Sequence, residues 1–203
     1  MEAGRPLYQH PLFQRIAGET WRPGGTALTR HGLALCGFSP GQRILDIGCG
    51  VGASMAVLAN SGLCAVGLDR EYRLTGPFSF VRADAGAPPF ARCSFDGLLC
   101  ECVLSLLPEP EIALRRFAAI LRPGGRLLLT DLYLRDVPVA SPVQPSPSVP
   151  NASCLSGTRS CGDMDSLLQR AGLRIRYFED HSAALKELAA RLLWYGGDTL
   201  NPA

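Results

Sequence analysis

The stretch from Ile44 to Gly52 constrains the fold of this chain more than any other segment. It consists of a short apolar run that contains Asp46, a turn with Gly48, Gly50 and a third glycine at alternate positions, and the start of an apolar helix. Such a turn lets a ligand approach bare backbone, because glycine accepts strained dihedral angles and has no side chain in the way. The pattern therefore predicts a ligand site at the end of a buried strand.

Two spacings within this turn point to different ligands. Gly48, Gly50 and Ala53 satisfy a loose form of the dinucleotide pattern G-x-G-x-x-G. The longer pattern D-x-G-x-G-x-G, which begins at Asp46, resembles the cofactor loop of the class I S-adenosylmethionine methyltransferases, of the methyltransferase type 11-like group. The resemblance implies that this loop, including Cys49, binds S-adenosylmethionine and that S-adenosylhomocysteine is the product.

Composition fits a single folded domain and argues against several classes of function. The 203 residues are 47% hydrophobic and 19% charged, which is enough apolar material for a core. The net charge of +2 comes from scattered basic residues, which argues against a nucleic-acid partner. Because the chain has no apolar leader and no run long enough to span a bilayer, we expect a cytoplasmic monomer or homodimer that acts on a small molecule and binds no membrane.

Apolar strands alternate with helical segments along the chain, which predicts a mostly parallel sheet with crossover helices. We expect a Rossmann-like three-layer α/β/α fold as one domain over residues 1–203, with residues 1–40 as a helical N-terminal cap. No clear strand follows the last helix, so the sheet is either shorter there or irregular. The expected strands are Ile44–Ile47, Cys64–Leu68, Phe78–Val81, Leu98–Cys100, Arg126–Tyr133 and Arg174–Phe178, and the expected helices include Thr26–Cys36, Val51–Asn60, Met164–Ala171 and Ser182–Tyr195.

Further cofactor contacts are expected at the ends of the next strands, because open parallel sheets bind ligands at the carboxyl ends of their strands. A carboxylate at Asp69, with Arg70 beside it, can accept hydrogen bonds from a ribose diol. The family resemblance implies that Asp84 and Ala85 meet the adenine edge. It also implies that the backbone carbonyl of Cys100 holds the ammonium group of the cofactor.

Two cysteine segments suggest the methyl acceptor. Cys102 follows the fourth predicted strand, and Cys154 lies near the end of a proline-rich stretch, 137–157, that is either a connector or a lid over the substrate. Both segments are similar to those of the arsenite methyltransferases, and the resemblance implies that Cys102 and Cys154 hold trivalent arsenic as thiolates. Thiolates suit such a soft centre, and methyl transfer to it needs no general base.

Two other segments allow alternative interpretations. If the acceptor is an ordinary small organic metabolite, His181 is a candidate general base, because imidazole is the commonest side-chain base near neutral pH. Alternatively, Asp180 or Ser182 caps the following helix and His181 only packs there. Near the start of the chain, Arg22–Gly25 is either a turn that begins a helix or a cover over the cofactor.

The eight cysteines also permit a reading that is not enzymatic. The thiols of Cys100, Cys102, Cys154 and Cys161 are enough for a tetrahedral zinc site, which would make the protein a metal-binding or redox module. The other thiols are expected to be small packing groups without a chemical role. They belong to Cys36, Cys49, Cys64 and Cys93.

Overall fold

The computed structural model, which describes residues 7–71, 73–135, 154–155 and 157–196, is built around a five-stranded parallel sheet. The strands are β1 (Arg43–Ile47), β2 (Cys64–Asp69), β3 (Ser79–Arg82), β4 (Phe95–Glu101) and β5 (Leu121–Thr130), and their order is β3-β2-β1-β4-β5. The helices are α1 (Pro11–Ala17), α2 (Gly25–Cys36), α3 (Ala53–Asn60), α4 (Pro110–Ile120), α5 (Cys161–Arg170) and α6 (Ser182–Gly196). Short 3-10 turns cover Leu7–Gln9, Gly18–Thr20 and Leu104–Leu106, and the two-residue strands β6 (Tyr133–Leu134) and β7 (Arg159–Ser160) pair with each other.

Strand β1 is central, and the order of the strands reverses beside it. Its residues Ile44, Leu45 and Ile47 are completely buried. The middle strand of a parallel sheet is covered by helices on both faces, so its sequence is apolar almost throughout. The exception is Asp46, whose carboxylate lies at the reversal point, where open α/β sheets bind their ligands.

Side chains of the strands alternate between two helix layers. On one face the sheet packs against α4 and α5, and on the other it packs against α2 and α3. Leu45 and Cys100 belong to the first face, and Ile44 and Leu99 belong to the second. The predicted three-layer α/β/α architecture with a mostly parallel sheet is confirmed.

The predicted strand Arg174–Phe178 is wrong. Residues 171–181 connect α5 to α6 without pairing to the sheet, and Ile175, Tyr177 and Phe178 are 42%, 69% and 60% exposed. Alternation of apolar and basic residues favours a strand locally, but a strand also requires a neighbour with free backbone groups and a covered apolar face. Among the described residues the main sheet ends at β5, and no strand follows α6.

Other element boundaries differ from the sequence prediction for local reasons. Strand β5 begins at Leu121, which pairs with Phe95, and three extra residues bulge out before Arg126 pairs with Gly97. Helix α5 begins three residues earlier than expected because the Ser160 hydroxyl accepts a hydrogen bond from the backbone N–H at position 163. Apart from positions 154, 155 and 157, the proline-rich stretch 137–157 lies outside the described residues.

Helices of the described ranges are too short or too polar to cross a bilayer.

Candidate functional site

The glycine turn after β1 opens the backbone to a ligand at a single position. Gly48, Gly50 and Gly52 all have positive φ angles, of 71°, 52° and 87°. A Cβ atom at Gly48 would overlap the side chain of Val103, and one at Gly52 would lie 2.7 Å from Leu74. Packing inside the protein therefore requires those two glycines. A Cβ atom at Gly50 would meet nothing within 4 Å, so this is where a ligand can approach the turn.

The end of β2 holds this turn in place. The backbone N–H of Gly50 donates to Asp69 Oδ2 at 2.9 Å, and the N–H of Glu71 donates to Asp69 Oδ1 at 3.0 Å. The N–H of Cys49 donates to the Leu68 carbonyl at 3.1 Å. Burial, more than the nearby carboxylates, raises the pKa of the Cys49 thiol, so this side chain is a packing group and only its backbone belongs to the turn.

The other predicted cofactor residues divide into exposed and buried pairs. Arg70 Nη2 lies 2.6 Å from Asp84 Oδ2, and both side chains are about half exposed. The pKa of Asp84 is lowered, mainly because the backbone N–H of Gly86 donates to it. The side chains of Ala85 and Cys100 are buried in the core on the α4 and α5 face, so these residues offer the site only backbone groups.

An ionic network that the sequence reasoning did not assign lies on the other face of the sheet. Arg22 Nη2 is 2.7 Å from Glu101 Oε2 at the end of β4 and 3.0 Å from Ser54 Oγ of α3. The Thr29 hydroxyl of α2 accepts from the same guanidinium and donates to Glu101 Oε1 at 3.0 Å. Arg22 and Glu101 are only 7% and 8% exposed. The network therefore joins the N-terminal cap to the end of β4 and to α3 through one buried ion pair.

The structure bears on one of the two interpretations of Arg22–Gly25, the turn that begins a helix, while the cover over a cofactor stays a prediction. The segment does begin α2, but its arginine side chain turns inward over the end of the sheet. The glutamate at position 101, at the end of a predicted strand, was the one sequence feature that pointed to an ion pair, because a buried glutamate requires a cationic partner. What the sequence could not indicate was that Arg22, 79 residues away, is that partner.

Three buried side-chain atoms have no hydrogen-bond partner among the described residues, and all three lie near this edge of the sheet. They are Asp46 Oδ2, Arg22 Nε and Thr130 Oγ1. Asp46 is 3% exposed and shares the α2 and α3 face with Glu101, because its register partner Leu99 lies on that face. Each unsatisfied buried polar group costs about 1–3 kcal/mol, so such atoms mark positions where a ligand would supply the missing partner.

In the absence of a ligand, the surroundings of Asp46 disfavour the charged form of its carboxyl group. Burial raises its pKa well above the usual range, and the carboxylates of Glu101 and Asp69 raise it further. Arg22 opposes them and lowers the pKa. A ligand that presents a cation to Asp46 and an anion to the Nε of Arg22 would satisfy both residues at once.

Cys102 follows β4 in a strained conformation. Its φ angle is +56°, a region that residues with a side chain adopt infrequently, and its N–H donates to the Thr130 carbonyl at 2.7 Å. Burial is the main reason that the pKa of the Cys102 thiol is raised, and Asp131 and Cys154 raise it further. The sign of the Cys154 effect is that of two thiols in one region of the protein.

The segment that carries Cys154 packs on the turn that follows Cys102. A Cβ atom at Gly157 would overlap the backbone oxygen of Ser105, so these two chain segments are in direct contact. Ser105 in turn donates from its backbone N–H and its hydroxyl to Asp131, at 2.9 and 2.7 Å. Burial raises the pKa values of both Cys154 and Asp131. Two thiols and a half-buried carboxyl group therefore line the region beyond β4 and β5.

His181 lies in a different environment. It is exposed, its Nε2 is 3.0 Å from Glu179 Oε2, and its ring meets that of His31 edge to face. No described contact joins it to the two thiols or to Asp131. The Ser182 N–H and hydroxyl donate to Asp180, as expected of a residue that caps α6.

The alternative prediction, a zinc site formed by four cysteines, is wrong. Three or more ligand atoms of His, Cys, Asp or Glu lie within 4.8 Å of one another in only one place in the described ranges, and that cluster contains no cysteine. The thiols of Cys100, Cys102, Cys154 and Cys161 therefore do not converge on one metal position. Cys100 points into the core on the α4 and α5 face, so it cannot join the other three.

Comparison with known proteins finds similarity in the part of the chain that carries the glycine turn. Residues 45–129, which contain the glycine turn and strands β2, β3 and β4, match the family model of the methyltransferase domain. The methyltransferase GfsG of Streptomyces halstedii is 32% identical over 163 residues, which cover 71% of this chain and 57% of that protein. The chain spans about half the length of the curated relatives it matches.

Solved structures share the fold. A phosphoethanolamine N-methyltransferase of Haemonchus contortus, solved with phosphomonomethylethanolamine and S-adenosylhomocysteine, superposes with a TM-score of 0.70 at 20% identity, covering 93% of this chain and 48% of that one. An arsenic(III) S-adenosylmethionine methyltransferase of Chlamydomonas reinhardtii gives a TM-score of 0.55 at 22% identity, covering 74% of this chain and 60% of that one. At these identities the similarity establishes the architecture alone.

Asp46→Asn is expected to stabilise the ligand-free protein at neutral pH, by about 1 kcal/mol, because an amide avoids the cost of a buried charge. The pKa of Asp46 is higher in the folded than in the unfolded chain. The stability linked to its protonation is complete below the unfolded-state pKa and is lost as pH rises through the folded-state pKa. The advantage of the variant should therefore grow with pH, as measured by urea unfolding between about pH 4 and about pH 8.

Asp96→Asn is the matched control, and its effect on the free energy of unfolding should have the opposite sign. Hydrogen bonds from the Arg43 N–H and from Arg122 lower the pKa of Asp96. Its replacement should reduce stability at neutral pH, and that loss should vanish as the pH falls through the lowered pKa. A loss of stability from both substitutions at neutral pH would contradict the assignment of Asp46 as an unsatisfied buried carboxylate.

Proposed function

We propose that this chain, whose residues 45–129 match the family model of the methyltransferase domain, transfers a methyl group from S-adenosylmethionine to a small-molecule acceptor. The observation that carries the proposal is the pair of buried, unsatisfied atoms of opposite charge at the reversal point of the sheet, Asp46 Oδ2 and Arg22 Nε. The amino-acid end of S-adenosylmethionine carries an ammonium group and a carboxylate, the two partners that these atoms lack.

The remaining strand ends fit the other parts of this cofactor. Asp69, held against the glycine turn, keeps lone pairs free for a ribose diol, and Asp84 can accept from the adenine amino group. Gly50 leaves the backbone open between them. When bound, S-adenosylmethionine supplies an activated methyl group on its sulfonium sulfur. The protein's own contribution is to hold the cofactor's charged end and to orient its donor carbon.

The negative charge around the glycine turn favours S-adenosylmethionine over a dinucleotide as the ligand. A pyrophosphate at the glycine turn would lie near the carboxylates of Asp46, Asp69 and Glu101, all within one electrostatic neighbourhood. Arg22 is the only cation among the groups that shift the pKa of Asp46, and it is already paired with Glu101. Such a site repels a dianion and favours a ligand with a cationic group.

Trivalent arsenic is the leading candidate for the acceptor. Cys102 and Cys154 come from segments in direct contact, and thiol sulfur is a preferred ligand for soft centres. Each thiol proton would leave with an arsenic hydroxyl as water while an arsenic–sulfur bond forms, so the raised pKa values do not prevent binding. Arsenic held in this way keeps its lone pair, which is the nucleophile, and no general base is required.

An ordinary oxygen or nitrogen acceptor is the second candidate, and Asp131 is the observation in its favour. This carboxyl group lies beside the Cys102 region, and burial raises its pKa, as is typical of carboxyl groups that exchange protons. Three hydrogen bonds from Ser105 and Leu132 hold it in place. For this reaction Asp131 or a water, rather than the exposed His181, would remove the proton.

Gly50→Ala should weaken S-adenosylmethionine binding about tenfold or more, because a Cβ atom would occupy the only open approach to the turn and remove at least one contact. The left-handed conformation should also cost about 1–2 kcal/mol of stability. Gly124→Ala is the control, since its φ angle of +79° imposes the same strain with equally open surroundings away from the site. Calorimetry should show weak binding by the first variant and normal binding by the second. Equal affinities would contradict the proposed cofactor position.

Cys102→Ser and Cys154→Ser should each abolish the methylation of arsenite, assayed with labelled S-adenosylmethionine and excess small thiol, while leaving cofactor affinity unchanged. A serine hydroxyl is a hard ligand and does not replace thiolate at a soft centre. Cys64→Ser, at an exposed cysteine, is the control and should remain active. Undiminished methylarsenic production by either site variant would contradict the two-thiolate assignment. Cofactor binding without any arsenic product from the unsubstituted protein would favour the organic acceptor.

A further inference from the structure

Three side chains outside the proposed catalytic site meet on the surface between α2 and the segment that precedes α6. His31 Nε2 is 2.6 Å from Glu179 Oε2, and His181 Nε2 is 3.0 Å from the same oxygen. One ligand atom from each residue lies within 4.8 Å of the other two. Residues 31 and 179 are 148 positions apart, so tertiary folding and not local sequence brings this group together.

We propose that His31, Glu179 and His181 form a binding site for a divalent transition metal, with Zn²⁺ as the expected ion. Imidazole nitrogen and carboxylate oxygen are established Zn²⁺ ligands, and two histidines with one carboxylate is a common set. Zn²⁺ bonds of about 2.0–2.2 Å place the ligand atoms of a tetrahedral site about 3.3 Å apart. The two histidine–glutamate separations, 2.6 and 3.0 Å, are shorter than this, so side-chain rotations would make room for the ion.

The charge of Glu179 and the orientation of the two imidazoles suit this role. Hydrogen bonds from His31 and then from His181 lower the pKa of Glu179, so its carboxylate is charged at neutral pH. Both imidazoles direct Nε2 at that carboxylate. A metal ion would displace the proton that each Nε2 donates, and each ring would then bind it as a neutral imidazole with a proton on Nδ1. All three side chains are 40–48% exposed, which leaves the fourth position to water.

The metal would connect helix α2 to the segment that precedes α6, in addition to the cluster of Phe13, Ala17 and Leu188 that packs the N-terminal cap against α6. Helix α2 carries Thr29 of the buried Arg22 network, while Glu179 and His181 lie at the end of the unpaired connection 171–181. An ion that binds only the folded arrangement stabilises it in proportion to its concentration over its dissociation constant. The expected consequence is a clamp between the N-terminal cap and the start of α6, separate from methyl transfer.

Zn²⁺ titration of the full chain, followed by NMR of the imidazole C–H signals, tests this site despite the eight competing thiols. The chain has three histidines, so Zn²⁺ should shift the signals of His31 and His181 and leave His10 unchanged. The melting temperature should rise in the same titration. Absence of a shift in the two signals, or an equal shift of all three, would overturn the proposal.

Single substitutions identify the ligands. His31→Asn, His181→Asn and Glu179→Gln should each weaken the Zn²⁺ affinity reported by the remaining signals about tenfold or more, since even outer-shell partners of metal sites have effects of that size. His10→Asn is the matched control, because asparagine preserves the cap that His10 provides to α1. Unchanged affinity in any of the three ligand variants would overturn the assignment of that residue, and unchanged affinity in all three would overturn the site.

Discussion

The buried ion pair between Arg22 and Glu101 organises the cofactor side of this protein. It joins the segment before α2 to the end of β4, and Thr29 and Ser54 complete its hydrogen bonds. Two charges removed from water recover less free energy than they lose unless further hydrogen bonds satisfy them, so such a pair is a poor source of stability alone. Here it also fixes the guanidinium beside Asp46, with Nε unpaired. The folded chain therefore carries an electrostatic cost that a zwitterionic ligand would offset.

Three consecutive residues at the end of β4 and just after it lie in three different environments. Cys100 points into the core on the α4 and α5 face, and Glu101 points to the opposite face and enters the Arg22 network. Cys102 leaves the strand in a left-handed conformation, and Asp131 and Cys154 both raise the pKa of its thiol. The alternation of side chains along a strand thus separates packing from the proposed cofactor site, and a strained backbone at the next residue separates both from the proposed acceptor site.

Local sequence patterns predicted the parts of the fold that depend on neighbouring residues. The glycine turn and the alternation of strands and helices follow from conformational preference and hydrophobic periodicity, which act over short distances. The same reasoning failed for Arg174–Phe178, where a strand-like pattern has no strand to pair with. It also missed the Arg22–Glu101 pair and the cluster around His181, because each depends on contacts between residues far apart in the chain.

The central claim is that Asp46 and Arg22 bind the amino-acid end of S-adenosylmethionine. A crystal structure of the protein with S-adenosylhomocysteine tests this claim most directly. The account predicts that the ammonium group of the ligand donates to Asp46 Oδ2 and that its carboxylate accepts from Arg22 Nε, with Gly50 facing the ligand. An amino-acid end bound elsewhere, with both protein atoms still unpaired, would contradict it.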